Sequence, residues 1–114
     1  MNKIFYQTKQ NPWENLAIEE YLLQEIQPED MFLFLWQNKN TIVIGKHQNP
    51  WIECKISALE IDNITLARRI TGGGAVFHDL GNLNFSFIMD RKKFQLEKQL
   101  SVILEALKTL NIQA

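Results

Sequence analysis

An α+β fold, with a mixed, largely antiparallel sheet and helices packed against it, is predicted by three observations in this 114-residue sequence. A helix with clear start signals stands near the beginning, and a leucine-striped helix stands at the end. Between them, short apolar stretches rich in β-formers alternate with turn residues. No repeat, linker or low-complexity tract divides the chain.

The elements follow in order. Ile4 to Tyr6 reads as a short strand. In Asn11-Pro12-Trp13-Glu14, Asn11 can cap, Pro12 suits the first helical position, and Glu14 falls where a capping-box carboxylate belongs. Trp13, Leu16, Ala17 and Tyr21 then recur at helical spacing, which predicts a helix to about Gln24. Met31 to Trp36 is apolar at every position and predicts a strand buried on both faces. After turn residues Asn38-Lys39-Asn40, Thr41 to Ile44 predicts a second strand ending at Gly45, paired with the first as an antiparallel hairpin.

Asn49-Pro50 marks a turn or helix start, and Ile56 to Ile61 predicts a short helix. Ile64 to Arg68 alternates as a strand, and Arg69 to Gly74 forms a loop. Ala75-Val76-Phe77 and Leu83 to Phe87 flank a turn at Asp79 to Asn82; Leu83, Phe85 and Phe87 share one face, Asn84 and Ser86 the other. In the last helix Leu96, Leu100, Ile103, Leu104, Leu107 and Leu110 make one stripe, expected to be core. Asn111 is a suitable terminator, and Ile112 reads as the start of a further strand, so the fold is expected to continue past this helix.

Composition bounds the function. The chain is 46% hydrophobic and 22% charged, as in an ordinary globular domain, and its net charge of −1 offers no bulk attraction to nucleic acid or membrane. A single cysteine, Cys54, excludes an internal disulfide and suits a reducing compartment. The first residues lack a signal-peptide core, and the longest apolar run is too short to span a bilayer. A cytoplasmic location is expected.

The chemistry is concentrated in Arg68-Arg69-Ile70-Thr71-Gly72-Gly73-Gly74-Ala75-Val76-Phe77-His78-Asp79. Three successive glycines are entropically costly, so their position needs something side chains forbid. Close approach of backbone N–H groups to an anion is one such need, and adjacent arginines supply bidentate donors to carboxylate or phosphate. A tight turn with both arginines in solvent satisfies the same residues. The spacing matches neither a P-loop nor a dinucleotide fingerprint. His78 and Asp79, adjacent on a strand, point to opposite faces and form no dyad. His47, His78 and Cys54 give no zinc-site spacing. Without a nearby partner, Cys54 reads as a structural thiol, and Trp36 as core or as the wall of a pocket.

The segment from Arg68 to Asn82 resembles the signature loop of the lipoate–protein ligase A family, which reads Arg-Arg, two variable positions, then Gly-Gly-Gly-Ala-Val-Phe-His-Asp. Asn11 to Glu20 is similar to a second block of that family, and Leu35 to Asn38 with Gly45 to Trp51 to a third. The resemblance implies a fold shared with biotin ligases and class II synthetase-like domains. It also implies a two-step reaction. A lipoate carboxylate attacks the α-phosphate of Mg2+-bound ATP, pyrophosphate leaves, and lipoyl-AMP is formed. A lysine of a lipoyl carrier, such as an E2 subunit of a 2-oxoacid dehydrogenase or the glycine cleavage H protein, then attacks the anhydride to give an amide.

Carried onto this chain, the resemblance assigns adenylate contacts to Arg69, Gly74, Ala75, Val76 and Phe77. It assigns the lipoyl tunnel to Trp36, Thr71 and His78, with Arg69, Gly73 and Gly74 beside them. Preorganised N–H groups and a guanidinium would stabilise charge developing on carbonyl and phosphoryl oxygens. The lysine that the family uses on both carboxylate and phosphate follows a further strand and is absent here, so negligible turnover is expected from this chain alone, and a second polypeptide is one way to complete the site. An octanoyl or lipoyl transferase is the nearest rival, though Cys54 is misplaced for its nucleophile. A biotin ligase fits less well, lacking its Gly-Arg-Gly-Arg type of loop. A non-catalytic module that binds lipoate or a carrier is the alternative from another class.

Overall fold

The computed structural model describes residues 1–114 and builds two three-stranded sheets. The elements are β1 (Asn2–Tyr6), α1 (Pro12–Glu25), β2 (Met31–Trp36), β3 (Thr41–Ile44), α2 (Pro50–Glu53), α3 (Ile56–Ile61), β4 (Thr65–Arg68), β5 (Val76–His78), β6 (Asn84–Met89) and α4 (Leu96–Thr109). A short 3-10 turn, Arg91–Lys93, precedes α4.

One sheet has the order β1-β2-β6 and the other β4-β3-β5. Each repeats one plan. A central strand pairs in parallel with a neighbour reached through helix, and in antiparallel with a later strand. This is the predicted mixed α+β architecture, and its longest ladder, β2 with β6, is antiparallel.

The expected hairpin between β2 and β3 does not form, because both are central strands already flanked on each side. The connection carries the chain from one sheet to the other. Asn38 is buried there, and Lys39 N–H donates to Gln10 O at 3.0 Å. Likewise β5 and β6 leave the Asp79–Asn82 turn for different sheets.

Helix α1 begins as predicted, with the Asn11 side chain accepting from Trp13 N at 3.0 Å and Glu14 N at 3.1 Å. The Glu14 carboxylate turns to Lys9, 3.5 Å away, instead of closing the box. Its inward face is not the one that its spaced apolar residues mark, Leu16 alone among them being half-buried. Pro12, Asn15 and Leu22 are buried and Glu19 and Ile26 half-buried, whereas Trp13, Ala17 and Tyr21 are exposed. The inward stripe carries two polar residues that serve the site, so counting apolar residues misplaces it.

Leu22, Phe32, Phe34, Trp36 and Ile88 form the core between α1 and the first sheet. Burying each such side chain stabilises by about 1.5–3 kcal/mol. Along β2 alternate residues Phe32, Phe34 and Trp36 are buried while Met31, Leu33 and Leu35 are half-covered, so only one face is sealed. In β6 it is Asn84, Ser86 and Ile88 that share the inner face; Leu83 and Phe85 are exposed. The leucine stripe of α4 is not core. Leu96, Leu100, Leu104 and Leu110 are exposed, Ile103 and Leu107 are half-buried, and only Gln99 is buried. The helix still ends as predicted: Asn111 adopts φ 60°, Asn111 N donates to Lys108 O and Ile112 N to Leu107 O, a Schellman closure.

Candidate functional site

Arg68 and Arg69 leave the end of β4 in different directions, and neither side chain is idle. Arg68 Nη1 donates to Gly45 O, Lys46 O and Gln48 O at 3.2, 3.0 and 2.8 Å, holding the turn after β3. Arg69 is wrapped by the glycine loop. Its Nε and Nη2 reach Gly72 O at 3.1 and 2.8 Å, Nη2 reaches Gly74 O at 2.7 Å, and Nη1 lies 3.4 Å from Val43 O. Gly73 makes the wrap possible, with φ +102°, and a Cβ there would lie 2.7 Å from Arg69 Nη2.

With the loop's carbonyls turned to Arg69, its amides are left over. No backbone N–H from Gly72 to Ala75 has a hydrogen-bond partner in the chain. The three glycines are solvent-exposed, so these donors are open to a ligand. They are the kind of preorganised N–H groups that stabilise an anion.

Beside the loop is a cavity of about 240 Å³, where α1, both sheets and the loop converge. Leu16, Trp36, Val43 and Val76 supply its apolar lining. Arg69, Thr71, His78, Glu19 and Asn84 supply polar groups. It is smaller than the usual ligand cavity of about 300–1,000 Å³. Arg69 is also a wall of a second cleft, about 480 Å³, which Lys46 and Arg68 share. Lys46 makes no ion pair there. Arg69 thus borders both a slot with apolar walls and a cleft that is cationic on balance, Lys46 and Arg68 facing the single acidic residue Glu20.

Trp36 is buried, stacked on Phe34 with centroids 5.9 Å apart and edge-on to His78 at 5.9 Å. Its Nε1 donates to Ser86 Oγ at 3.1 Å, and the Ser86 hydroxyl in turn donates to Glu19. His78 is buried at the start of the turn; its Nδ1 lies 3.1 Å from Asn38 Nδ2. Burial, and then the neighbouring Arg69 charge, hold this imidazole below its ordinary value. Asp79 points away and accepts from Gly81 N at 2.8 Å, a turn contact.

Of the residues singled out in the sequence, Trp36, Arg69, Thr71, Val76 and His78 meet in the one cavity. Gly73, Gly74 and Ala75 do not line it, Gly74 being tied to its wall only through the bond from Arg69 Nη2 to Gly74 O, and Phe77 is exposed. Sequence reasoning missed Leu16, Glu19, Val43 and Asn84, and also Asn15, Asn38 and Lys46. A signal existed for Asn15. Asparagine is a poor interior helix residue, and this one occupies the inward stripe of α1.

The site is thus a slot with apolar walls, bordered by a guanidinium and lying beside backbone amides that have no partner in the chain. The chain belongs to the family of the lipoyl protein ligase A/B catalytic domain, whose model matches residues 11–114. It is 50% identical over 104 residues to a lipoate-protein ligase A of Psychrobacter cryohalolentis, covering 91% of this chain and 31% of that protein. The chain therefore spans about a third of the length of the curated relatives it matches.

Among solved structures, P. falciparum LipL1 in complex with lipoate is similar at TM-score 0.85 and 35% identity, covering 96% of this chain and 36% of that one. A bi-partite lipoate protein ligase of Thermoplasma acidophilum, from work that includes its E2 lipoyl domain, matches at TM-score 0.83 and 28% identity, over 99% of this chain and 46% of that one. Lipoate-protein ligase A bound with ATP matches at 0.77 and 28%, over 93% and 44%. No helix of the chain is long and apolar enough to cross a membrane.

Proposed function

We propose that this chain supplies the acyl- and adenylate-binding half of an ATP-dependent lipoate ligase, working in the cytoplasm on a lysine of a lipoyl carrier domain. The observation that carries the reading is the position of Arg69, the common wall of the apolar cavity and the cationic cleft. Lipoate would lie along Trp36, Leu16 and Val43, with its carboxylate reaching toward Arg69 and Thr71. The nucleotide phosphates would lie toward Lys46 and the free amides of Gly72 to Ala75, with Mg2+ carried on the nucleotide. Phe77, exposed beside the loop, would border the adenylate.

The relatives support this assignment, since similar structures hold lipoate or ATP. The carrier is proposed because one similar ligase is described with its E2 lipoyl domain, whose bi-partite form is also the precedent for a second polypeptide. Charge that develops at the carboxyl carbon and the α-phosphorus would meet donors already in place. Cys54 caps the end of α2 and lines neither cavity, which argues against a cysteine-based transferase acting through this residue.

Calorimetry of the chain with a non-hydrolysable lipoyl-adenylate analogue tests the reading. One saturable site, weakened at least tenfold by Arg69→Ala, is expected. Absence of binding to the folded chain would sink it. ATP–pyrophosphate exchange by the chain alone should be negligible.

A further inference from the structure

A buried run of amides connects backbone to cavity. Asn15 Nδ2 donates to Gln37 O at 2.8 Å and also to Asn38 Oδ1 at 2.9 Å, with Lys9 O at 3.4 Å. Asn38 Nδ2 meets His78 Nδ1 at 3.1 Å. Asn15 and Asn38 are both fully buried, so no water competes for these groups.

The polarity of this chain is set at one end. Backbone carbonyls only accept, so the Asn15 atom facing Gln37 O and Lys9 O must be the donor nitrogen. That nitrogen also faces Asn38, which must therefore present its oxygen to Asn15. The amide of Asn38 then presents its nitrogen to His78, and Nδ1 must accept, which requires it to be bare. A doubly protonated ring would set two donors against each other. Nε2 has no hydrogen-bond partner in the chain, is not among the buried unsatisfied atoms, and belongs to a residue that lines the 240 Å³ cavity.

We infer that Asn15 and Asn38 are positioning residues that hold His78 as a neutral Nε2–H donor facing the cavity. The direction is imposed by Gln37 O, through two side chains. The charged residues that share this cavity with His78 are Arg69 and Glu19. Arg69 opposes protonation of the imidazole, as does its burial. The donor's purpose, an oxygen of the bound acyl group, rests on the function proposed above; the relay itself does not.

The test is long-range 1H–15N spectroscopy of the labelled 114-residue chain, with lipoate titration alongside. In the wild type, His78 should show one tautomer with Nδ1 bare, while exposed His47 shows a solvent-averaged mixture in the same spectrum. Asn38→Asp, which keeps the acceptor toward Asn15 but replaces the donor toward His78, should move a proton onto Nδ1 and weaken lipoate binding at least fivefold. A purely structural Asn38 would leave the tautomer unchanged. A proton on Nδ1 in the wild type, or a bare Nδ1 in folded Asn38→Asp, overturns the relay. If the variant does not fold, the wild-type spectrum decides alone. A fixed Nδ1-bare tautomer in a chain that binds no lipoate supports the relay and counts against the ligand.

Discussion

A Cβ on Gly45 would collide with the carbonyl oxygen of Gly73 and lie 3.1 Å from its carbon. The end of β3 and the middle of the glycine loop are thus in backbone contact, with Lys46 N donating to Thr71 O at 2.9 Å beside them. Gly45 is a glycine for the sake of a residue 28 positions later, whose own φ is positive.

Gly45→Ala should therefore destabilise the chain by about 1–3 kcal/mol through overpacking against rigid backbone. Gly72→Ala meets nothing within 4 Å and has no positive φ, so it should be neutral or stabilising by up to about 1 kcal/mol. Urea unfolding of the two variants measures the contrast. Equal losses would show that the loop does not rest against β3.

Arg69→Lys keeps the charge but cannot chelate Gly72 O, Gly74 O and Val43 O together. A loss of about 1–3 kcal/mol is expected from the broken charge-assisted bonds. Faster amide exchange across Gly72 to Val76 should accompany it. Exchange unchanged in that segment would mean that charge alone organises the loop.

Stability should fall on mild acidification because of His78. Its folded-state value lies below the ordinary 6.5, so as pH drops through 6.5 the unfolded chain takes up a proton that the folded chain refuses. The contribution is full above that value and is lost between it and the lower folded-state value. Unfolding free energies from pH 7.5 to 5.5 should show this decline, and His78→Gln should flatten it. A decline of the same size in His78→Gln assigns it to another group.

The apolar face of α4 gives a fourth test. Leu100→Lys and Leu104→Lys, at exposed positions, should each change stability by no more than about 0.5 kcal/mol. Phe34→Ala, in the core of the first sheet, should cost about 3–5 kcal/mol. Thermal unfolding of the three variants separates them, and a core-sized loss at Leu104 would place that helix face against the rest of the chain.

Much of the architecture was legible from local chemistry. Asn11-Pro12 and Asn49-Pro50 cap their helices through side-chain contacts two or three residues away, and Asn111 ends α4 by its own φ. Strand partners were not legible. The Asn38-Lys39-Asn40 turn looks the same whether it folds a hairpin or crosses between sheets, and only the burial of Asn38 against Asn15 and His78 decides. Of the cavity's residues, Arg69 was legible from its place beside the glycines, whereas Trp36, Thr71 and His78 were singled out only by resemblance to a family. Glu19 and Asn84 were hidden because ordinary polar residues on a helix or strand look like solvent-facing ones.

By itself, the sequence determined which segments are helix and which are strand, to within about two residues at their ends, that a side-chain-free loop adjoins two guanidiniums, and which family this chain resembles. Those properties depend on neighbours within a few positions, or on identity alone. Only the tertiary structure decided which face of α1 turns inward, which strands pair, and that Arg69 gathers the loop's carbonyls so that its amides stay free. These outcomes depend on groups far apart in the chain, where hydrogen-bond polarity and backbone contact, and not hydrophobic periodicity, select the arrangement.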